Sequence, residues 1–364
     1  MRPLAILLAL LLAPAAAAGD GALLAAAERY GPAARAAYAS TPDGAQARYD
    51  AGRDLVEAVV AAGKVSAARR QLRAELLAQG RRQVARAEVL DRDPGFRSAA
   101  PLAPLPGVGP GRGPSRRDAG LERRLAAAAL RSSGAVGIWV HELGSGRYAG
   151  YEADARFAAA STVKLGALVA GLRASPRPER SAWWYDVRQI GFWSSNLAAN
   201  RISTRLGYPA VVDGLRRLGM TSSTYPGPYR ATTGWRPAPP GPHTRVTTAR
   251  DLGRALHRLH GAAHGNATSL ARLGLTRRQA ILALRVLASA QPVAENAGLL
   301  RPWLRGTTVV EKNGWLSDTR TTAAIVYRGG RATIVVLELY RPGVTYAEAK
   351  RLGRDVLAAI GWAD

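Results

Sequence analysis

The pattern that most limits the fold is the separation of the strand-forming segments. Ala135–Leu143 (Ala-Val-Gly-Ile-Trp-Val-His-Glu-Leu) and Arg147–Tyr151 read as a hairpin across Gly144-Ser145-Gly146. The next strand patterns come only at 307–312, 321–327 and 332–339, the last two joined by Arg328-Gly329-Gly330. Between the two groups the apolar spacing predicts helices at about 161–173, 183–193, 197–206, 209–218, 247–260 and 276–289, and a last helix follows at about 345–360. Asp118 stands where it can cap a helix running to about Arg131. Strands at both ends of a helical stretch must meet in one antiparallel sheet, with the middle helices forming a second lobe against it. The expectation is an α+β fold, with a five-stranded antiparallel sheet flanked by N- and C-terminal helices plus a helical lobe.

Upstream, residues 21–90 are rich in Ala, Leu, Arg and Glu, punctuated by Pro32, Thr41-Pro42-Asp43-Gly44 and Gly63. They read as a small helical unit in which no residue combination suggests catalysis. From Asp93 to Pro114 the Pro and Gly content is that of a linker. The chain opens Met1-Arg2-Pro3, runs apolar from Leu4 to Leu12, and reaches Ala16-Ala17-Ala18 before Gly19-Asp20. That is the pattern of a secretory signal peptide cleaved after Ala18. The apolar run is short for a membrane span, and Pro14 interrupts the segment. The expected organisation is therefore a signal peptide over 1–18, a helical region over 19–92, a linker over 93–114 and a large domain over 115–364. With no Cys in the chain, disulfides, thiolate metal sites and a lipid-modified cysteine are excluded. A secreted or periplasmic monomer with no transmembrane segment after cleavage is expected, with no cofactor and no metal.

The net charge of +25 is unevenly placed, at +4 over residues 19–114 and +20 over residues 115–364. Such a field suits anionic partners, among them wall polymers, anionic lipid head groups and carboxylate-bearing substrates. Nucleic acid is the usual reading of so basic a chain, but the export signal and the lack of any recognisable nucleic-acid module argue against it. Of the 51 basic residues 47 are Arg, leaving only Lys64, Lys164, Lys312 and Lys350. Arg supplies permanent charge but cannot give up its proton. The positions that keep Lys are therefore candidates for proton chemistry.

Two of those lysines fall in short motifs. Ser161-Thr162-Val163-Lys164 starts a helix after an extended stretch, so the amine lies one turn from the hydroxyl. A serine needs a base to become a nucleophile, burial lowers a lysine pKa, and a helix N-terminus offers N–H groups to an oxyanion. Ser194-Ser195-Asn196 directly precedes a helix, where an ordinary N-cap is the simple alternative. Lys312-Asn313-Gly314 ends an apolar strand, where an ordinary turn is the alternative. Each motif alone is weak, but their order and context agree.

Together they match the S-x-x-K, S-D-N and K-T-G set, so residues 115–364 resemble class A β-lactamases and penicillin-binding proteins. Gly120–Leu125, Ala153–Phe157 and Ser195–Asn200 extend the similarity beyond the motifs. The resemblance implies that Ser161 attacks a carbonyl to form an acyl-enzyme with Lys164 as base. It implies that Ser194 relays the proton to the leaving nitrogen while Lys312 keeps that path electropositive. Asn196 would bind the substrate amide, and the N–H groups of Ser161 and Trp315, beside Gly314, would hold the oxyanion. Asn313 and Arg320 would face the substrate carboxylate. The implied substrate is a β-lactam or a D-Ala-D-Ala-like amide of peptidoglycan type. The alternatives are a peptidoglycan D,D-peptidase and a catalytically weak protein that holds anionic cell-wall polymers.

Three departures from that family stand out. Ser195 replaces the usual Asp, and Asn313 the usual Thr or Ser. The loop Glu with which class A enzymes position the deacylating water has no counterpart, since no Glu lies between Glu179 and Glu295. Asp186, Asp213 and Asp251 all lie outside Met220–Thr248, the segment that should correspond to that loop. His243 is the one candidate base there, although a lone loop His is more often simply solvated. Only 33 residues separate Ser161 from Ser194, fewer than usual in the family, which predicts a more open cleft and a large substrate. His257, His260 and His264 share a spacing that metal ligands use, but with Gly261 and Gly265 among them they read as a solvated helix end.

Overall fold

The computed structural model describes residues 18–37, 42–92, 102–192, 194–227, 229, 245–290, 296, 298–316 and 318–362. They form two units, one before and one after Ala100. The expected signal peptide, most of the linker's first half, His243 and Glu295 lie outside the described residues. The first unit contains helices α1 (Ala18–Arg35), α2 (Pro42–Ala61) and α3 (Arg70–Arg92). Its small core is built from Leu23, Ala26, Ala34, Leu55, Val59, Ala62 and Leu76. Helices α2 and α3 cross at two glycines, because a Cβ at Gly52 would come 2.6 Å from the Gly80 carbonyl oxygen.

In the second unit the strands are β1 (Arg116–Arg117), β2 (Ala135–Glu142), β3 (Arg147–Tyr151), β4 (Phe157–Ala158), β5 (Val246–Thr247), β6 (Thr308–Trp315), β7 (Thr319–Arg328) and β8 (Arg331–Tyr340). The main sheet runs β1-β3-β2-β8-β7-β6, so the distant strand groups do meet, through β2 and β8. Its register sets Ile138 beside Leu337 and Ala323 beside Lys312. It has six strands rather than five. The extra one is β1, parallel to β3 and made when the N–H groups of Ser115 and Arg116 reach the Gly146 carbonyl. Two residues are too few to show an alternating pattern, so the sequence carried no sign of it.

The long strands are buried on both faces because each face is covered. Helices α4 (Ala119–Leu130) and α12 (Tyr346–Ile360) pack on one side against Val335, Leu337 and Leu339. On the other lie α5 (Lys164–Arg173), α6 (Trp184–Phe192), α7 (Asn196–Leu206), α8 (Tyr208–Leu218), α9 (Ala249–Ala263), α10 (Ala267–Leu273) and α11 (Arg277–Ala288). Asp118 caps α4 as expected, its carboxylate accepting from Leu121 N at 2.8 Å. The short α10, between Asn266 as N-cap and Gly274 in the left-handed region, is an addition to the expected helices. Helix α5 is buried from Lys164 to Leu172 and crosses α8 on glycines, since a Cβ at Gly166 would lie 2.7 Å from the Val211 carbonyl. That close approach fixes the helix whose first turn carries the site.

The Pro- and Gly-rich residues 102–114 run as an extended strap along this unit. Arg285 donates to the carbonyls of Leu102 and Ala103 at 2.7 and 3.0 Å, and Arg112 N donates to Leu143 O at 2.7 Å. The strap changes the reading of the histidines. His260 is fully buried, not solvated, with one ring nitrogen 3.0 Å from Gly109 O and the other 3.0 Å from the Tyr327 hydroxyl. His264 and the His257–His141 pair pack around it. Sequence spacing alone cannot show that a distant strap will cover a helix end.

Burial and neighbouring imidazoles lower His260 to about 3, and burial and His257 lower His141 to about 4. Both are neutral in the folded protein, whereas the unfolded chain takes up their protons below about 6.5. Stability is therefore full above pH 6.5 and lost as pH falls from there toward 4, by roughly 2 kcal/mol for each histidine at pH 5. Urea unfolding at a series of pH values is expected to show this slope. A His260→Gln variant, which keeps one donor and one acceptor, is expected to show a shallower one.

Candidate active site

The nucleophile motif sits in a turn, with the helix proper beginning at Lys164. The Thr162 hydroxyl and N–H both donate to the Ala159 carbonyl, at 2.6 and 2.9 Å, which folds the chain tightly before α5. Ala160 is forced to φ +45°, a costly conformation for a residue with a Cβ. The turn leaves Ser161 half-buried, one turn from Lys164.

The second motif is held with similar strain. Ser194 has φ +62°, and Ser195 N donates to Gln189 O at 3.1 Å. Ser195 is fully buried and caps α7, its hydroxyl accepting from Ala198 N at 3.1 Å. The cap and the motif are therefore compatible, because Ser195 serves the helix while Ser194 and Asn196 flank it. Here the hydroxyl does the local work that suits a short acceptor.

The third motif lies inside β6, the free edge of the sheet. Alternation along the strand turns Lys312 and Gly314 to one face and Glu311 and Asn313 to the other. Gly314 is required by space, since a Cβ there would lie 3.0 Å from Ser161 N. This closeness brings the backbone of Gly314 alongside Ser161. Asn313 faces away from Lys312, donating to Asn296 O at 2.6 Å and accepting from the Thr322 hydroxyl at 2.9 Å. A Cβ at Gly298 would collide with Asn313 and Glu311, so Asn296 and Gly298 close over them. Trp315 is exposed, and Arg320, opposite it in the ladder, donates to the carbonyls of Leu316 and Thr319.

Five of the nine expected residues thus touch in one chain of contacts. Lys164 Nζ lies 2.9 Å from Ser161 Oγ, 2.5 Å from Asn196 Oδ1 and 3.5 Å from Ser194 Oγ, and it also donates to the Ser194 carbonyl. Lys312 Nζ lies 2.6 Å from Ser194 Oγ and 2.8 Å from Asn313 O. Gly314 approaches Ser161 through its backbone, while the side chains of Asn313 and Arg320 stand outside the chain. Both amines are buried, Lys164 completely and Lys312 to 1 % exposure. Burial lowers Lys312 to about 7, against the pull of Glu311, so it can change charge near neutrality. On the opposite face, burial raises Glu311 to about 7 despite its 2.7 Å contact with Arg301.

Two further residues shape the site. Asn200, one turn beyond Asn196, accepts from Tyr229 N at 2.7 Å and donates to Tyr229 O at 2.9 Å. This clamp lays the Tyr229 ring over the Lys164 amine, 4.4 Å from Nζ to the ring centroid, with Arg245 at 4.1 Å from the same centroid. Burial pushes the Tyr229 phenol far up, so it is neutral. The i, i+4 spacing of the two asparagines was the available signal for Asn200, whereas nothing marked Tyr229 among its loop's residues. The aspartates between the motifs are held elsewhere: Asp186 by Arg201, Asp213 by Arg173 and Arg217, and Asp251 by Ser222, Ser223 and Arg254.

Residues 120–179 and 187–361 match the profile of the β-lactamase enzyme family. Among solved structures, the β-lactamase from Sphaerobacter thermophilus DSM 20745 is 20 % identical with a TM-score of 0.54, over 66 % of this chain and 95 % of that one. PBP-A is 19 % identical with a TM-score of 0.55, over 68 % and 98 %. A class A β-lactamase from Mycobacterium abscessus is 23 % identical with a TM-score of 0.52, over 66 % and 99 %. At these identities the structures show a shared fold. A search of curated proteins gives no match.

Ser195→Ala removes a buried helix cap and is expected to cost about 1 kcal/mol of stability. Ser194→Ala, which takes an acceptor from the buried Lys312 amine, is expected to cost about 1–3 kcal/mol and to slow acylation by penicillin far more than Ser195→Ala does. Parallel thermal melts and acylation rates check this split.

Proposed function

Because the chain belongs to the β-lactamase enzyme family, we propose that it is an exported serine hydrolase that forms a long-lived acyl-enzyme on Ser161. The observation that carries this reading is the set of partners around Lys164. Two of them, the Ser194 carbonyl and Asn196 Oδ1, can only accept, so they take two N–H groups. In the neutral amine the remaining position is a lone pair, and it faces the Ser161 hydroxyl.

In this reading Ser161 Oγ attacks the substrate carbonyl carbon as its proton passes to Lys164. The N–H groups of Ser161 and Trp315 hold the developing oxyanion. The carbon–nitrogen bond then breaks, and the leaving nitrogen takes the Ser194 proton, which Lys164 replaces. Lys312 holds Ser194 in line and supplies positive charge. Trp315 and Arg320, paired at the hairpin end of the β6–β7 ladder, receive the outer part of the substrate and its carboxylate.

Release is the weak step. The sequence has no Glu between Glu179 and Glu295, and Tyr229 beside Lys164 is a phenol that burial keeps neutral, so it is a poor base toward water. The substrate in this reading is a large peptidoglycan stem amide, for which penicillin is an analogue. A point mutant of PBP-A was solved as an acyl-enzyme complex with penicillin G, which is consistent with such chemistry on this fold. A signal segment over residues 1–18 would place the enzyme outside the cytoplasm. Among the described residues no helix is long and apolar enough to cross a membrane.

Intact-mass measurement with penicillin is expected to show a persistent single adduct on the mature protein and none on Ser161→Ala. Absence of both adduct and turnover would overturn the reading. A Tyr229→Glu variant is expected to release the adduct at least tenfold faster, and Tyr229→Phe at the original rate. If Glu brings no acceleration, the ring is not what holds release back.

A further inference from the structure

The C-terminal ends of α5, α8 and α10 converge far from Ser161, at the opposite end of the helix that Lys164 begins. Arg173 ends α5, Arg216 and Arg217 end α8, and Arg272 ends α10. Arg254 and Arg258, one turn apart, face them from α9. The convergence is close. A Cβ at Gly274, just past α10, would lie 3.1 Å from Arg173 Nε and 3.2 Å from Arg217 Nη1, and one at Gly219, just past α8, would lie 2.7 Å from the Arg258 guanidinium. Both glycines are left-handed helix caps, Gly219 at φ +81° and Gly274 at φ +63°, so the arginines pack directly over the helix ends.

An ordinary role accounts for part of this. Arg258 donates to the carbonyls of Arg216 and Arg217 at 3.4 and 2.7 Å, and Arg217 to that of Arg272 at 3.4 Å, so they satisfy helix ends. It does not account for the whole. Asp213 is shared between Arg173 and Arg217, at 2.5 and 2.7 Å, and Asp251 meets Arg254 at 3.3 Å. Among the described residues Arg216, Arg258 and Arg272 have no carboxylate partner. Three helix ends contribute about half a negative charge each, which with the two aspartates leaves a surplus of roughly two to three positive charges. The like charges are felt within the face, since Arg272 and Arg254 add to burial in lowering Arg258.

We infer that this arginine face is a docking surface for a base-free, phosphate-rich polyanion laid across the three helix ends. Guanidinium forks match phosphate oxygens two at a time, and Arg173, Arg217 and Arg258 are already fixed by their own hydrogen bonds. Exposed Arg216, Arg254 and Arg272 surround them. A lipid surface fits less well, because insertion needs exposed apolar side chains. In this unit the large ones exposed among the described residues are Leu130, Tyr208, Trp303 and Trp315, none on this face, with Tyr208 at the far end of α8. Single-stranded nucleic acid fits less well for the same reason, lacking aromatic platforms for its bases. Docking here would hold the protein on an anionic matrix while Ser161 stays open.

The test uses long-chain inorganic polyphosphate and the mature protein, with binding measured over a range of salt. Arg216→Gln/Arg272→Gln is expected to weaken binding about tenfold and to lower the salt dependence by about two counter-ions, one for each phosphate contact removed. Arg123→Gln/Arg351→Gln, on exposed positions of α4 and α12 across the sheet, is expected to change neither. Both pairs are exposed and should leave thermal melts unchanged, so a loss of binding is not a loss of fold. Equal weakening in the two pairs would reduce the effect to overall charge and overturn the assignment. So would tighter binding of duplex DNA, polyglutamate or anionic vesicles than of polyphosphate at equal charge. Ser161→Ala is expected to bind as tightly as the parent protein, which keeps this result separate from the acyl-enzyme reading.

Discussion

Burying the amine of Lys164 is the constraint on which the rest of the second unit depends. An amine taken out of water loses several kcal/mol of solvation unless its hydrogens are satisfied. Here they are satisfied by Ser194 and Asn196, with Ser161 at the remaining position. Those groups come from a turn before α5 and from the start of α7. Meeting the needs of one nitrogen therefore fixes the relative positions of two segments far apart in the chain. Tyr229 extends the same logic, because a ring face against the amine excludes water and is itself held by Asn200.

The supporting structure shows why the segments can come so close. Glycines stand where helices or strands must touch, at Gly166 under α8 and at Gly314 beside the Ser161 amide. Of the three non-glycine residues at positive φ among the described residues, two, Ala160 and Ser194, stand at the contacts around Lys164. Beneath β6, buried Glu311 and Asn313, with half-buried Arg301, form a second polar layer that holds Asn296 and packs against Gly298. The candidate site is thus an edge strand, a turn and a helix start, each tied down by groups outside the chain of contacts around Lys164 and Lys312.

Much of this was legible in the residues. The apolar segments at 135–151 and 307–339 carried the sheet, because strands buried on both faces read as near-continuous runs rich in Val, Ile and Leu, here bounded by Gly-containing turns. The scarcity of lysine pointed to Lys164 and Lys312, and the structure brings both to Ser194. Elements without a periodic signature were invisible. Strand β1 is two residues long, and α10 is seven. The strap over 102–114 reads as a linker by composition, since Pro and Gly look alike in a free linker and in a chain laid along a surface. Its hydrogen bonds to Arg285 and His260 come from residues more than 150 positions away.

By itself, the sequence determined the residue types available for chemistry: a serine and two rare lysines in ordered motifs, with no carboxylate in the loop between them. It also determined the fold class, because periodicity is a local property of the chain. Only the tertiary structure decided which side chains share a space. It turned Asn313 away from Lys312, buried His260 under the strap, set Tyr229 against Lys164 and gathered six arginines at three helix ends. Each of these depends on where distant backbone segments cross, and no local pattern of residues encodes such a crossing.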